Sequence, residues 1–170
     1  MYHLFQTDIT QINVDAIVNA ANTELLRGHG VCGAIFNKAG FGLDAECLAY
    51  VKDHGKVPTG QAVLTGSYNL NHVKHIIHAV GPIYQDGKHN EDQLLASAYY
   101  ESVKLAFKNN LKSIAFPFIS SGIYGYPIYD CAMVGHKALT DMNTMFPEMN
   151  IIMCVFSNAD FDVWNKIRNN

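Results

Sequence analysis

Charged side chains are scarce in this sequence of 170 residues. Asp, Glu, Lys and Arg together make up 16% of it, and the net charge is −3. The twelve Lys and Arg residues are spread along the chain and form no basic block. Because tight binding to a phosphate backbone depends on concentrated basic side chains, the sequence argues against nucleic acid as the main partner.

Long apolar segments and regular cysteine patterns are also missing. The longest apolar runs have the length of a strand, well short of the ~20 residues that span a bilayer. The N-terminal residues show no basic segment followed by an apolar one, so nothing indicates secretion. No CxxC pair or disulfide framework occurs among the four cysteines, which are Cys32, Cys47, Cys131 and Cys154. We therefore expect a reduced, cytoplasmic protein without a membrane segment.

Histidines are numerous, with eight in the chain, but their spacing does not favour a metal site. His75 and His78 lie three residues apart in an apolar, β-branched run that is typical of a strand. Side chains at that spacing on a strand point to opposite faces and cannot share one ion. We expect no metal and no other cofactor.

Apolar residues are plentiful at 49% of the chain, and the length is that of one domain, residues 1–170. Strand-like runs at 2–6, 15–19, 62–65, 74–80, 113–119 and 150–156 alternate with helical patterns at 31–39, 43–51, 90–108, 128–146 and 159–168. This alternation predicts a three-layer α/β/α sandwich with a central mixed sheet. The short link between the third and fourth strands predicts an antiparallel pair. The first strand should lie at or near an edge of the sheet.

Two loops of small residues, 18–33 and 120–127, each follow a predicted strand and precede a predicted helix. Ligands of such sheets bind beyond the carboxyl ends of the strands, so both loops should lie on one rim. Their backbone N–H groups and the helix starts suit an anion, and two such loops side by side suit a diphosphate. The ring of Tyr124 is placed to cover a sugar or base. The alternative is a pair of turns that bind nothing.

The first of these loops contains Gly28-His-Gly-Val-Cys-Gly33, which fits the GxGxxG pattern of dinucleotide-binding proteins. That pattern should follow its strand directly, whereas residues 20–28 intervene here, so we disfavour a dehydrogenase. The amide of Asn22 has both a donor and an acceptor for a ribose hydroxyl. Asn19, at the end of the strand, is predicted to bond to the backbone there rather than to a ligand.

Several segments in a fixed order make the chain recognisable. They are Val14-Asp-Ala-Ile-Val-Asn-Ala-Ala-Asn22, Gly30-Val31 with Gly33-Ala34-Ile35, Pro58-Thr-Gly60, Ile77-His-Ala-Val-Gly-Pro82, Asn90-Glu-Asp-Gln-Leu-Leu95 and Ala115-Phe-Pro-Phe-Ile-Ser-Ser-Gly-Ile-Tyr-Gly-Tyr-Pro127. Over nearly its whole length the sequence resembles the MacroD-type macrodomain family, and within it the bacterial O-acetyl-ADP-ribose deacetylases. The resemblance implies a macrodomain fold that binds ADP-ribose and often removes it, or an acetyl group, from an ester or acyl linkage.

The resemblance also implies roles for individual residues. Asp8 would accept a hydrogen bond from the adenine amino group, with Ile9 beside it and Phe156 stacked on the ring. Asn22 would hold the distal ribose, and Tyr124 would cover that ribose and orient the scissile bond. The diphosphate would lie against Gly30, Val31 and the second loop, whose members are Ser120, Ser121, Gly122, Ile123 and Tyr124.

Cys32 stands where MacroD-type hydrolases carry an aspartate that is thought to activate or position the attacking water. A thiol at a helix N-terminus has a lowered pKa, and a bound diphosphate would raise that pKa again. We therefore expect a neutral thiol and a poor general base when substrate is present. Asn22 and a phosphate oxygen would orient the water, and hydrolysis would be slow.

Smaller departures from the family pattern are Thr7 in place of a glycine, and Arg27 and His29 within the glycine run. His29 is a second candidate base because imidazole titrates near neutral pH. The alternative reading of His29 is an exposed loop histidine with no role in the reaction.

The sequence thus predicts an ADP-ribosyl hydrolase. Its substrates would be mono-ADP-ribosyl esters of protein Asp or Glu and O-acetyl-ADP-ribose, so its expected partners are ADP-ribose, ADP-ribosylated proteins and O-acetyl-ADP-ribose. Because Cys32 replaces the aspartate, a domain that binds ADP-ribose without hydrolysing the linked ester is the main alternative. A partner such as RNA or poly-ADP-ribose is poorly supported by the charge. We expect the domain to be a monomer.

Overall fold

Six strands and five α-helices alternate along the chain in a computed structural model that describes all 170 residues. The strands are β1 (His3–Gln6), β2 (Ala16–Ala20), β3 (Ala62–Gly66), β4 (His75–Ala79), β5 (Ser113–Phe116) and β6 (Asn150–Val155). The helices are α1 (Gly30–Ala39), α2 (Phe41–His54), α3 (Glu91–Lys108), α4 (Ile128–Met145) and α5 (Asn158–Arg168). A 3-10 turn, Ile9–Gln11, follows β1. None of the helices combines the length and the apolar character that a membrane crossing requires.

The strands form one mixed sheet in the order β1-β6-β5-β2-β4-β3. All neighbours are parallel except β3 and β4, which pair antiparallel from Ala62 with Ala79 to Gly66 with His75. The predicted edge position of the first strand and the antiparallel third and fourth strands are therefore confirmed. Because β1, β6, β5, β2 and β4 run in the same direction, their carboxyl ends all lie along one rim of the sheet.

Two separate cores cover the two faces of the sheet, one with 27 buried residues and one with 20. The larger core joins the sheet to α3, α4 and α5, and the smaller one joins it to α1 and α2. Strand β2 contributes to both, because Val18 faces the larger core and Ile17 the smaller. The predicted α/β/α sandwich is confirmed, and the fully apolar run at 16–18 is explained by burial on both faces.

Helix α3 begins without a side-chain cap, although its start carries the polar residues Asn90 and Asp92. Asn90 occupies the N-cap position with a left-handed backbone (φ 58°), but its side chain makes no capping hydrogen bond. The buried carboxylate of Glu91 instead accepts hydrogen bonds from four backbone N–H groups of the preceding loop, those of Gln85, Asp86, Gly87 and His89. Burial opposes the charge of Glu91, but the backbone donors outweigh it and lower its pKa to about 2. This carboxylate organises the loop that leads into α3.

Candidate active site

A cleft of about 260 Å³ opens at the rim where β2 and β5 end. Its walls are residues 20–22, 28–32, 81 and 118–124. Both loops that the sequence predicts to share a rim therefore meet at one cavity. The cleft contains Asn22, Gly30, Val31, Cys32 and the predicted stretch from Ser120 to Tyr124.

The side chain of Asn22 fixes the shape of the first loop. Its Nδ2 donates to the carbonyl of Leu26 at 2.9 Å, and its Oδ1 accepts from the Leu26 N–H at 3.0 Å. A primary amide has two N–H donors and two lone pairs on its oxygen, so one donor and one lone pair remain. Asn22 is thus held in one orientation and still able to contact a ligand.

Close packing of the backbone explains the glycines at the start of α1. Gly30 has φ +59°, a conformation that other residues rarely adopt. A Cβ on Gly33 would lie 2.7 Å from the carbonyl oxygen of Gly28. His29 stands at the N-cap of α1 and makes no capping bond with its side chain. The first N–H groups of α1 lack an intrahelical partner and border the cleft, where the helix dipole favours an anion.

Arg27 anchors the first loop to α1 and α2 rather than pointing at a ligand. Its guanidinium forms a two-pronged pair with Asp44, with Nε to Oδ1 at 3.1 Å and an NH2 nitrogen to Oδ2 at 2.7 Å. It also donates to the carbonyl of Phe36 and to the Asn37 side chain, and it lies over the ring of Phe41. The arginine within the glycine run therefore has a structural explanation.

The second loop is held by its backbone and by the absence of a side chain at Gly81. Ser120 adopts φ +65°, and its hydroxyl donates to the carbonyl of Pro82 at 2.8 Å. A Cβ on Gly81 would lie 2.4 Å from Ser120 Oγ and 2.5 Å from Ile119 Cγ2. The hydroxyl of Ser121 donates to Phe118 O. Because both serine hydroxyls donate to protein carbonyls, the loop offers mainly backbone N–H groups to an anion in the cleft.

Cys32 lies at the base of the cleft and is 6% exposed. Burial raises the pKa of its thiol, against the lowering effect of hydrogen bonds from the Gly28 backbone and the Asn19 side chain. The expectation that the helix N-terminus lowers this pKa is therefore wrong for this protein, because loss of solvent outweighs the helix. The inference that the Cys32 thiol is neutral stands, because burial alone raises its pKa and no bound diphosphate is needed. Burial likewise raises the pKa of the nearby Tyr124.

Asn19 differs from its prediction as well. Its side chain is 1% exposed and does not bond to the backbone. Nδ2 instead contacts His78 Nδ1 at 3.1 Å and Cys32 Sγ at 3.7 Å, while Oδ1 has no partner. This arrangement was not predictable from local patterns, because the three residues come from different parts of the chain.

Asp8, Ile9 and Phe156 do not line the cleft but lie farther along the same rim. Asp8 Oδ1 accepts from the N–H and the hydroxyl of Thr10 and so caps the 3-10 turn after β1. Ile9 is buried, and Phe156, directly after β6, is 76% exposed. Strands are ~4.8 Å apart, so the rim from β1 across β6 and β5 to β2 spans about 14 Å. An elongated ligand lying along this rim would reach both Asp8 and the cleft.

The cleft also includes residues that were not singled out from the sequence. Gly81 and Phe118 line the cleft and were not among the candidates, although both fall in the segments that carry the family resemblance. His29 lies at the mouth of the cleft, is exposed, and its ring forms no hydrogen bond with the protein. A role for His29 as a base therefore stays a prediction, with an exposed loop histidine as the alternative.

One group of potential metal ligands lies away from the cleft. Side-chain atoms of Asp86, His89 and Glu91 approach within 4.8 Å of one another. The carboxylate of Glu91 is already occupied by four backbone N–H groups, and His89 Nδ1 pairs with Asp86 at 2.8 Å. This group is accounted for by the loop that it holds together.

The fold and the cleft define a class: an α/β sandwich whose strand ends carry two loops suited to an anionic ligand. Residues 18–134 match the model of the Macro domain family. The chain is 48% identical to the O-acetyl-ADP-ribose deacetylase of Escherichia fergusonii, covering 97% of this chain and 93% of that protein. It is 47% identical to a macro domain-containing protein of Caldanaerobacter subterraneus, over 96% of this chain and 93% of that one. The chain belongs to the macrodomain family.

Solved structures agree with this assignment. The Oceanobacillus iheyensis macrodomain with ADP superposes with a TM-score of 0.93 at 33% identity, covering 98% of this chain and 88% of that one. The Trypanosoma brucei macrodomain in complex with ADP-ribose gives a TM-score of 0.85 at 31% identity, covering 96% and 67%. The predicted family and fold are confirmed, and the predicted enzyme class agrees with relatives named as deacetylases, which are hydrolases.

Proposed function

We propose that this protein binds ADP-ribose in the cleft and hydrolyses esters of it, both O-acetyl-ADP-ribose and mono-ADP-ribosyl esters of protein Asp or Glu. The main support is the convergence at one cavity of the α1 N-terminus, the second loop, Asn22 and Cys32. Relatives named O-acetyl-ADP-ribose deacetylase and structures named with ADP or ADP-ribose support the same ligand. The predicted monomeric state and cytoplasmic location stay predictions.

The ligand would lie along the rim of the sheet. Its diphosphate would meet backbone N–H groups of Gly30, Val31 and the second loop, and its adenine would lie toward Asp8 and Phe156. Tyr124 would cover the distal ribose, with the ester near Asn22 and Cys32. This placement sets the only anionic part of ADP-ribose against the helix N-terminus, where the dipole favours it.

The reaction consumes one water and divides the ester into a carboxylic acid and ADP-ribose with a free ribose hydroxyl. The free N–H and lone pair of Asn22 would orient this water together with a phosphate oxygen. A neutral thiol at position 32 is a poor general base, so the protein would rely on positioning, and hydrolysis would be slow. The alternative of an ADP-ribose reader is favoured by the same observation, the burial that keeps Cys32 protonated.

Turnover of a protein that carries an ADP-ribosyl ester on an acidic residue separates the two functions. We expect slow release by the wild type and, for Cys32→Asp, release faster by about 10²-fold or more, the usual contribution of a general base. Cys32→Asn, which has the shape of aspartate without its basicity, is the matched control and should gain nothing. Calorimetry with ADP-ribose checks that all three proteins bind it.

Two results would contradict the proposal. If the protein does not bind ADP-ribose at millimolar concentration, ADP-ribose is not the ligand of the cleft. Binding without product release by either the wild type or Cys32→Asp would make the protein a reader. If Cys32→Asp gains nothing over a wild type that is already fast, the role given to position 32 is wrong.

A further inference from the structure

A chain of buried hydrogen bonds runs from the edge strand β3, along the face of the sheet that α1 and α2 cover, to the base of the cleft. Thr65 Oγ1 lies 2.9 Å from His78 Nε2, and Asn19 Nδ2 lies 3.1 Å from His78 Nδ1 and 3.7 Å from Cys32 Sγ. Asn19 and His78 are direct partners on the parallel strands β2 and β4. Thr65, His78 and Asn19 are all at most 2% exposed. None of these three residues lines the cleft.

The direction of each hydrogen bond in this chain follows from the Thr65 hydroxyl. The Thr65 hydroxyl donates to the carbonyl of Gly66 at 3.1 Å, so its oxygen accepts the Nε2–H of His78. The Cys47 sulfur, 3.9 Å from the same Nε2, is a second and weaker acceptor of this hydrogen. Nδ1 of His78 then has only a lone pair and accepts from the amide nitrogen of Asn19. That nitrogen is therefore the half of the Asn19 amide that faces Cys32. Because burial lowers the pKa of His78 to about 3, the imidazole stays neutral and the direction stays the same.

The sulfur of Cys32 meets donors on two sides. Asn19 Nδ2 lies 3.7 Å from it, and the thiol donates to the Leu26 carbonyl at 3.7 Å. The Gly28 backbone is a further donor that lowers the pKa of the thiol. The charged groups that act on it are Arg27, which favours a thiolate, and Asp44, which opposes it, and these two are paired with each other. The other titratable neighbours are Tyr124 and Cys47, whose pKa values are raised and which therefore stay neutral. The side chain at position 32 is thus offered N–H groups by Asn19 and Gly28 and a carbonyl by Leu26.

The unpartnered oxygen of Asn19 is independent support for a dedicated arrangement. Buried polar atoms are rarely left without a hydrogen bond, so each exception calls for an explanation. If the Asn19 amide were turned over, Oδ1 would face the lone pair on His78 Nδ1. Two acceptors cannot form a hydrogen bond, so this orientation is excluded. The amide leaves its oxygen unpartnered so that its nitrogen can face both His78 and Cys32.

We propose that Asn19, oriented by His78 and Thr65, is a positioning residue for the side chain at position 32. It acts by directing an N–H group at that side chain from below the cleft, and it does not touch substrate. The role of Asn19 in hydrolysis rests on the proposed function. The effect of Asn19 on the Cys32 thiol is measurable without turnover. An aspartate at position 32 would accept the same N–H groups from Asn19 and Gly28.

The test compares Asn19→Leu, which keeps the branched shape and removes the amide, with His75→Gln as matched control. His75 also lies on β4 and bonds to the backbone carbonyl of Thr65, but it has no link to Asn19 or Cys32. The first readout is the rate at which iodoacetamide alkylates Cys32 as a function of pH, followed by mass spectrometry of the peptide. The second is kcat, KM and the dissociation constant for ADP-ribose, measured in the Cys32→Asp background as well as in the wild type.

We expect Asn19→Leu to move the alkylation profile of Cys32 to higher pH, because the thiolate loses a donor. We expect kcat in the Cys32→Asp background to fall by roughly tenfold to a hundredfold, the scale of a misplaced catalytic group. KM and the ADP-ribose affinity should stay within about twofold, because no ligand contact is lost. His75→Gln should leave all of these values unchanged.

The proposal is overturned if Asn19→Leu matches His75→Gln in both the alkylation profile and kcat. It is also overturned if kcat and ADP-ribose affinity fall together, because that indicates a collapsed cleft. If Asn19→Leu fails to fold, Thr65→Val replaces it, since loss of the hydroxyl frees the imidazole and the amide to reverse and should shift the profile in the same direction. A wild type and Cys32→Asp that bind ADP-ribose but release no product would overturn the proposed function, and the alkylation profile would then decide the role of Asn19.

Discussion

The two loops that line the cleft, 18–33 and 120–127, are held in place by different kinds of contact. The first is fixed by side chains, with Asn22 bonded to Leu26 and Arg27 paired with Asp44. The second is fixed by its own conformation and by close packing: Ser120 has a left-handed backbone, its hydroxyl donates to the Pro82 carbonyl, and its side chain and that of Ile119 pack on the backbone of Gly81. The first loop therefore accommodates Arg27 and His29 within its glycine run, whereas position 81 has no room for one additional carbon.

The sharpest way to break this contrast is Gly81→Ala. The new Cβ would lie 2.4 Å from Ser120 Oγ and 2.5 Å from Ile119 Cγ2, so the second loop must move. We expect a loss of about 1–3 kcal/mol in the free energy of unfolding, the usual effect of overpacking. ADP-ribose affinity should fall by roughly tenfold or more, which corresponds to about 1.4 kcal/mol. Urea denaturation and calorimetry measure the two effects.

Gly122→Ala is the matched control for the stability measurement, because nothing lies within 4 Å of a Cβ at that position. It should leave the urea midpoint unchanged. If Gly81→Ala is as stable as this control and binds ADP-ribose as the wild type does, the second loop is not held by close packing at Gly81.

A second variant, Glu91→Gln, weakens the loop of residues 85–89. This loop directly follows Tyr84, whose N–H donates to the carbonyl of Tyr124 in the second loop at 2.8 Å. The pKa of Glu91 is about 2 in the folded protein, against 4.5 for an unperturbed carboxyl. The charged carboxylate therefore stabilises the fold fully above about pH 5, and this contribution is lost as pH falls from about 4.5 toward 2. We expect Glu91→Gln to be less stable than the wild type at pH 7, with the difference shrinking below about pH 4.5.

Urea midpoints of Glu91→Gln and the wild type between pH 2 and pH 7 measure how their difference in stability shrinks. This range includes the pKa of Glu91 in the folded protein, about 2, and its ordinary value of 4.5. Asp92→Asn is a suitable control, since Asp92 is the neighbouring exposed carboxyl of the same helix turn. A constant gap between Glu91→Gln and the wild type across the whole range would contradict the assigned role of the carboxylate.

The smallest of these effects belongs to the first loop. Arg27→Lys keeps the charge but loses the two-pronged geometry toward Asp44, which an ammonium group cannot reproduce. Both side chains are about 30% exposed, so the pair adds little to global stability. We expect an ADP-ribose affinity weaker by about two- to threefold, with an almost unchanged melting temperature.

The control for Arg27→Lys is Glu24→Ala, on the same loop. Glu24 pairs with Lys56 at 3.0 Å, but both side chains are largely exposed, and its removal should change neither quantity. If the two variants behave alike, the pair of Arg27 with Asp44 does not position the first loop.

The order of strands and helices was predictable because it depends on local patterns. The apolar run in β2, the period of α3 and the turn after β5 all lie within a few neighbouring residues. The shared rim of the two loops followed from the direction of parallel strands. These parts of the site needed no knowledge of distant contacts.

The environment of Cys32 was not predictable in the same way. Its position at the start of α1 is local and favoured a lowered pKa, but its burial depends on residues from several elements and raises that pKa. Asn19, His78 and Thr65 come from β2, β4 and β3, and only the register of these strands brings them together. The role of Glu91 was not predictable for a related reason, since its carboxylate accepts hydrogen bonds from backbone N–H groups of the preceding loop.

The division of the interior into two cores has a consequence for the dynamics of the protein. Cys32, in the first loop, belongs to the smaller core, whereas Ile119, directly before the second loop, belongs to the larger one, and both residues line the cleft. A ligand that contacts both walls therefore bridges two groups of side chains that the sheet keeps apart. Its binding free energy opposes local opening on either face, so amide hydrogens on both sides of the sheet exchange more slowly when the cleft is filled.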